Sequence, residues 1–431
     1  MKSLWNDTVK MPEFPTLDHD ISTDILIIGG GMAGILTAYL LDKKGVDYCL
    51  VEGSKICGGT TLNTTAKITA QHGAVFSEFL STIGKERTEM YLEANLKAAY
   101  FLKKLCIDID CDFCEKDNYV YSLNNREKLE DELWALDSIG FKAELCEELP
   151  LPFKTVGAVR FRKQAQFNPL KFISEISKNL NIYENTFVNT VKNGFAYTEK
   201  NKIKAKKIII ATHFPFINRH GSYFLKLYQH RSYVLGLENT LNLRGMYVDE
   251  NMGGLSFRNY GNLLLLGGGS HRTGKKGGGY NELREFTKNN LPGANEVYHF
   301  AAQDCMTLDK IPYIGNYSAF CRDIYVATGF NKWGMTGSML SALMLSEMVL
   351  ERSNPYEALF SPSRSIFKPQ LAINAFEAFT NVITFRTPRC THLGCALKWN
   401  SHEHTWDCAC HGSRFAKDGK VIENPAKKNL F

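Results

Sequence analysis

The chain has 431 residues, 44% of them hydrophobic and 22% charged, which is the balance of a globular protein with room for two or three domains. Its net charge of +6 comes from scattered Lys and Arg without a dense basic run, so nucleic acid is not indicated as a partner. No stretch is apolar for long enough to span a bilayer, and Met1 to Asp20 carries acidic residues and prolines where a targeting segment would be apolar. The sequence therefore predicts a cytoplasmic protein, whose mild positive charge allows at most peripheral membrane contact.

Asp24 to Ile28 is a continuous apolar run that predicts a strand covered on both faces. Glycines follow it, then an amphipathic helix over Ile35 to Lys43 and a second strand over Val46 to Glu52, which together make a βαβ unit. The turn reads Gly29-Gly30-Gly31-Met32-Ala33-Gly34 and fits G-x-G-x-x-G at Gly29, Gly31 and Gly34. The first glycine allows the tight turn, the second lets backbone approach a pyrophosphate, and the third lets helix and strand pack closely. The helix N-terminus at Met32 and Ala33 offers free N–H groups and the positive end of its dipole to phosphate. Glu52 ends the next strand 18 residues after Gly34, where a carboxylate can hydrogen-bond ribose hydroxyls. This context predicts dinucleotide binding and leaves FAD and NAD both open.

Residues 76 to 150 read as mostly helical and charged. Ile203 to Ala211 ends in a buried strand, residues 231 to 270 hold strand-like runs such as Asn262 to Leu266, and Asp323 to Thr328 is again a strand. A helix is expected from about Ser338 to Glu351, and residues 353 to 388 read as a proline-containing linker with a short helical patch. Eight cysteines are spread through this body without motif spacing, while four lie in the last 42 residues with histidines among them. There, Cys390-Thr391-His392 and Cys408-Ala409-Cys410-His411 are separated by 15 residues, counted from His392 to Cys408. Two thiolates can hold one iron and two imidazoles the other in a [2Fe–2S] cluster, and the same four ligands also suit tetrahedral zinc.

Beyond the first turn, the body resembles the D-amino-acid oxidase/glycine oxidase superfamily of FAD enzymes over about residues 20 to 355. The resemblance rests on Gly58-Gly59-Thr60-Thr61 with Thr65-Ala66-Lys67, on Ile208-Ile209-Ile210-Ala211-Thr212-His213, on Asp309-Lys310-Ile311-Pro312-Tyr313-Ile314-Gly315, and on Gly329-Phe330-Asn331-Lys332-Trp333-Gly334-Met335-Thr336-Gly337. It implies FAD held by the first turn, by Gly59, Thr60 and Thr61, and by Gly329, Gly334, Met335 and Thr336. It also implies hydride removal from a carbon beside an amine nitrogen. Within it, Lys67 is a candidate neighbour of the flavin that would stabilise the reduced anion, and otherwise a loop lysine in water. Arg231, His271 and Arg272 are candidate substrate contacts, an Arg being able to clamp a carboxylate bidentately; singly, each also reads as ordinary surface or sheet-edge charge. Cys305 lies near a position where some relatives attach flavin covalently, and otherwise reads as a buried free thiol.

The C-terminal segment resembles the Rieske family in ligands, spacing, the extra Cys395 and Cys410, and the Gly412-Ser413 that follows. The resemblance implies cluster ligands Cys390, His392, Cys408 and His411, a disulfide between Cys395 and Cys410, and a Ser413 hydroxyl that hydrogen-bonds a bridging sulfide. Phe415 stands where high-potential members have a tyrosine, so the expected potential is below the top of the Rieske range. Only 20 residues follow His411, too few for the iron domain of a Rieske oxygenase. Residues 356 to 389 are too short and too poor in strand pattern for a full sandwich base, so an abbreviated cluster-binding subdomain is expected.

The expected fold is α/β. A discontinuous, Rossmann-like, glutathione-reductase-like FAD-binding domain (20–75, 161–215, 319–355) meets a mixed sheet and helix substrate domain (76–160, 216–318). A linker (356–387) leads to the Rieske-type subdomain (388–431). The resemblance of the whole architecture to bacterial FAD-dependent oxidoreductases with a C-terminal Rieske domain implies amine or amino-acid oxidation, with electrons passing through the cluster to an acceptor protein or quinone. An electron-relay or redox-sensing module without a small substrate, and a flavin oxidase with a structural zinc tail, are the alternatives.

Overall fold

In a computed structural model the chain is described over residues 3–217, 221–384 and 387–431. The first βαβ unit forms as expected: strand Ile21–Ile28, helix Met32–Lys43, strand Tyr48–Val51. Its strands are parallel, and Ile25 to Ile28 are buried because helices cover the sheet. The sheet runs in the order Tyr313–Ser318, Cys321–Thr328, Lys202–Ile210, Ile21–Ile28, Tyr48–Val51, Ile182–Tyr183; only its first pairing is antiparallel, apart from a small hairpin beside Lys202–Ile210. Helix Gly334–Met348 packs beside Met32–Lys43.

Residues 76 to 150 are mostly helical, as expected, but hold two strands as well. Helices Phe76–Ile83, Lys85–Ile107 and Arg126–Ser138 alternate with strands Cys114–Ser122 and Glu144–Cys146. Cys114–Ser122 escapes sequence reading because its charged first half, Glu115 to Asn118, lacks a clean two-residue alternation. It joins a nine-stranded mixed sheet with Leu227–Glu238, Leu263–Arg272 and Asn295–Thr307. Strand Gly157–Gln166 belongs to this second sheet, so the expected boundary at 160/161 falls inside a strand; Tyr313–Ser318 likewise belongs to the first sheet and lies before the expected boundary at 318/319.

The last residues form a four-stranded antiparallel sheet, Leu397–Asn400, Thr405–Cys408, Arg414–Ala416 and Val421–Glu423. It is fastened to the body by a buried charge network. Arg231 binds Glu403 (Nε to Oε1, 2.7 Å) and Glu423 (3.1 Å), and Arg414 binds Glu403 (3.0 Å), Asp407 (3.0 Å) and Glu423 (3.1 Å). Removing one partner from such a network leaves uncompensated buried charge. Arg231→Ala is therefore expected to lower stability by about 3–5 kcal/mol in urea denaturation followed by tryptophan fluorescence. The segment expected to be a linker contains helix Pro369–Ile383.

Candidate functional site

The Gly-rich turn is built as its spacing predicts. Gly29 has φ +114°, which a side chain rarely tolerates, and a Cβ on Gly34 would lie 1.9 Å from the Gly29 carbonyl oxygen. Gly34→Ala is therefore expected to push the helix off the strand and to yield protein without flavin absorbance. Glu52 accepts from the N–H groups of Gly30 (2.7 Å) and Ser54 (2.9 Å), which fixes its carboxylate at the end of its strand; burial raises its pKa. The N–H of Met32 donates to the Thr61 hydroxyl (3.1 Å), tying the second loop to the first.

These loops open on a cavity of about 910 Å³. Gly29, Gly31, Met32, Ala33, Glu52, Gly59, Thr60, Thr61, Gly334 and Met335 all line it. Gly34, Gly329 and Thr336 support it from behind. Gly329 (φ +72°) packs against Thr307, and the Thr336 hydroxyl donates to the Thr69 carbonyl (2.8 Å), fastening the loop after Lys67 to the N-terminus of helix Gly334–Met348. A Cβ on Gly59 or Gly334 would meet nothing within 4 Å, so open space lies beside the backbone where a dinucleotide would run. The donor set and the volume fit FAD.

On the sheet side the same cavity is lined by Lys67, Ser232, Ser256, Ser270, Asp304 and Lys332. The Lys67 ammonium donates to Ser256 Oγ (3.2 Å). Burial, with the nearby Arg258 cation adding to it, brings the Lys67 pKa down to about 7. Arg258 is itself fully buried, donates to the Ala66 carbonyl (3.0 Å) and lies against the rings of Trp5 and Tyr260. Lys332 donates to Ser270 Oγ (3.0 Å) and the Met252 carbonyl (3.1 Å); burial lowers its pKa and raises that of Asp304. Lys332 stands in a motif already quoted, while Asp304 and Arg258 have no local sequence signal.

Arg231, His271 and Arg272 are not in this cavity, which corrects the sequence expectation. Successive residues of a strand point to opposite faces. On Leu227–Glu238, Ser232 and Val234 face the cavity, while Gln229 and Arg231 face the C-terminal subdomain. His271 is turned away from the cavity too, stacking on Tyr233 with its Nδ1 on the Gly269 carbonyl (3.2 Å). Arg272, at the strand end, binds the carbonyls of Ala409 (3.0 Å) and Cys410 (3.5 Å) in the cluster loop. No guanidinium among these is available to a substrate carboxylate. Cys305 is a buried thiol beside Thr328, its pKa pushed by burial up to about 12, and it does not line the cavity.

The two cluster loops lie side by side. Cys390, Cys408 and His411 are buried, His392 is half-buried, and the two imidazole rings lie 5.0 Å apart. Among the described residues Nδ1 of His411 is buried without a hydrogen-bond partner, as suits an atom reserved for a metal. The Sγ atoms of Cys395, Cys408 and Cys410 all lie within 4.8 Å of one another. The structure holds Cys395 and Cys410 as free thiols, so the bridge implied by the Rieske resemblance is not formed in it. Ser413 Oγ accepts from the Ala426 N–H (3.0 Å), and its hydroxyl lies in hydrogen-bond contact with the Cys390 thiol. These donors fit a [2Fe–2S] centre.

Gln229 and Gln303, absent from the sequence expectations, fasten the two halves together. Gln229 Nε2 donates to the His411 carbonyl (2.9 Å) and Gln303 Nε2 to the Gly412 carbonyl (2.8 Å). Gln229 Oε1 also meets His213 Nε2 (3.2 Å), and His213 lines the cavity. Val421, Ile422, Asn424, Ala426 and Lys427 of the C-terminal subdomain complete the cavity wall.

Residues 24–348 match the family model for FAD dependent oxidoreductases, and residues 375–431 match the Rieske [2Fe-2S] domain. The whole chain is 35% identical to YhfW of Bacillus subtilis (strain 168), named as a Rieske 2Fe-2S iron-sulfur protein, over 97% of that protein. In fold it is similar to glycine oxidase from Geobacillus kaustophilus (TM-score 0.66, 19% identity, 80% of this chain and 99% of that one). It is also similar to L-proline dehydrogenase from P. horikoshii (TM-score 0.65, 18% identity, 80% and 98%).

Proposed function

Because this chain belongs to the FAD dependent oxidoreductase family and carries a Rieske [2Fe-2S] domain at its C-terminal end, we propose that it is a dehydrogenase of small amines or amino acids that delivers electrons singly to a protein or quinone acceptor. One observation carries the reading. A single sheet has the FAD cavity on one face and the cluster loop fastened to its other face through Gln229 and Gln303. Bound FAD supplies a two-electron hydride acceptor, and the [2Fe–2S] cluster a one-electron carrier.

The protein's own residues prepare the substrate. An amine reaches a site near neutral pH mostly as its ammonium, which has no lone pair to assist hydride departure from the neighbouring carbon. Lys67, with its pKa near 7, takes that proton, and Ser256 holds its nitrogen in place. Ser232, Ser270, Lys332 and Asp304 give the cavity further polar groups for orienting a substrate. These convergent polar groups favour an enzyme over a bare relay, which needs no such chamber. The Rieske match sets the zinc-tail alternative aside. Glycine oxidase and L-proline dehydrogenase, similar in fold, act on amino acids by name, which supports the same substrate class.

The test is anaerobic mixing of the purified holoprotein with a panel of amines and amino acids, reading flavin bleaching and the cluster EPR signal together. Bleaching followed by a rhombic reduced-cluster signal is the expected result. Bleaching by a substrate with the cluster left oxidised would overturn the electron path, and no bleaching by any amine would overturn the substrate class.

A further inference from the structure

Helix Pro369–Ile383 is built inside out. Its inward side is polar: Asn374 and Asn381 are buried, and Asn374 accepts from Arg272 Nη1 (2.9 Å). Glu377 pairs with Lys275 (2.6 Å). Its outward side carries Ile373 (52% exposed), Phe376 (66%), Phe379 (64%), Val382 and Ile383 (both 50%), with Phe367 (86%) just before it. Spacings of three and four put the helical side chains among these on one stripe, about 15 Å long. A stripe of this kind normally faces a core, and exposed on a folded surface it marks something that covers it.

The charge around it names the occupant. Between Pro362 and Asn400 the described residues include Arg364, Lys368, Arg389 and Lys398 against Glu377 alone. Asp309 neutralises Arg364 and Lys275 neutralises Glu377. Among the described residues Arg389 donates to carbonyls, those of Asn381, Val382, Thr384 and Gly394, and meets no carboxylate. We propose that this face is a seat for an anionic phospholipid surface: the helix lies in the interface plane with its aromatic rings at the headgroup level and the cations around it toward lipid phosphate. A second copy of the chain fits less well, since a two-fold contact would set this positive rim against itself. A specific protein partner would find no polar or charged group on the stripe to fix its register.

The seat adjoins the cluster loop. Arg389 Nη1 binds the Gly394 carbonyl (3.1 Å), and the Ala396 N–H donates to the Asn381 carbonyl (2.9 Å). Leu393, 45% exposed and next to the ligand position His392, continues the apolar surface onto that loop. A lipid-soluble quinone would thus meet the cluster end of the protein; this last clause rests on the proposed electron path, and the lipid seat does not.

The experiment is sedimentation of the full-length holoprotein with vesicles of phosphatidylcholine alone and of phosphatidylcholine mixed with phosphatidylglycerol. The mixed vesicles should carry the protein down, less so as salt rises. The Phe376→Glu/Phe379→Glu double variant should bind at least about tenfold more weakly, from the lost burial of two aromatic rings. Both substituted positions are exposed, and an unchanged circular dichroism melt shows that the variant is folded. Absence of sedimentation, equal binding by the folded variant, or a dimer that the substitutions dissociate would each overturn the proposal. Vesicle binding does not read turnover, so it can fail while amine oxidation stands, and the reverse.

Discussion

His411→Ala is expected to purify with FAD bound but without iron or acid-labile sulfide, and to give no rhombic EPR signal after dithionite reduction. Its turnover with a one-electron acceptor should fall to background, while bleaching of the flavin by substrate persists. The reason is positional. His411 offers a buried, unpartnered Nδ1 to the cluster, and Gln229 holds its backbone to the body from behind. Without that imidazole the site would lose one of its four ligands, and the rings of Phe214 and Phe224 packed beside it offer no donor in its place. Cys408→Ala should behave alike. Cys395→Ser separates the ligand assignment from its nearest rival, because Cys395, Cys408 and Cys410 also sit within metal-binding distance of one another. Retention of the EPR signal in that variant is expected, and its loss would move Cys395 into the ligand set.

Lys67→Met should slow anaerobic reduction of the flavin by about 10²–10⁴, the range for loss of a positioned proton acceptor. The sign of the pH dependence follows from the lowered pKa. Below pH 7 Lys67 holds its proton and cannot take another; above it the free amine is present. The reduction rate of the native protein should rise with pH through about 7, and that rise should vanish in Lys67→Met. Lys67→Arg keeps the charge, stays protonated, and should not rescue. Stopped-flow flavin absorbance across a pH series makes the measurement, with the visible spectrum of each variant confirming that FAD is held. A native rate independent of pH, or a variant as fast as the native protein, would remove Lys67 from the chemistry. Arg258 is a positioning residue here, since its cation acts on Lys67 from behind the cavity wall.

The strongest sequence signals were those in which the chemistry and the fold are both local. A phosphate-cradling turn needs glycines at fixed offsets after a strand, and Glu52 must stand at the end of the next one; the structure places Gly29, Gly31 and Glu52 on one cavity, with Gly34 packed behind it. Cys390, His392, Cys408 and His411 sit on two short loops, so their spacing already brings them together. The charged start of Cys114–Ser122 concealed a strand, because its partners Gly157–Gln166 and Met246–Asp249 supply the pairing from far along the chain.

What the sequence by itself determined is therefore the pair of local motifs, a dinucleotide site and a Cys/His metal site on an α/β body, with FAD and the [2Fe–2S] cluster named by the family resemblances. Which residues face those cofactors was decided by tertiary structure alone. A strand shows an alternation but does not say which face meets the cavity, so Arg231 read as a substrate clamp and is instead committed to Glu403 and Glu423. Lys67 and Arg258 are 191 residues apart in the chain. Only the curl of the nine-stranded sheet puts one buried cation behind another and turns an ordinary lysine into a proton acceptor near neutral pH, because burial and like charge both disfavour its ammonium.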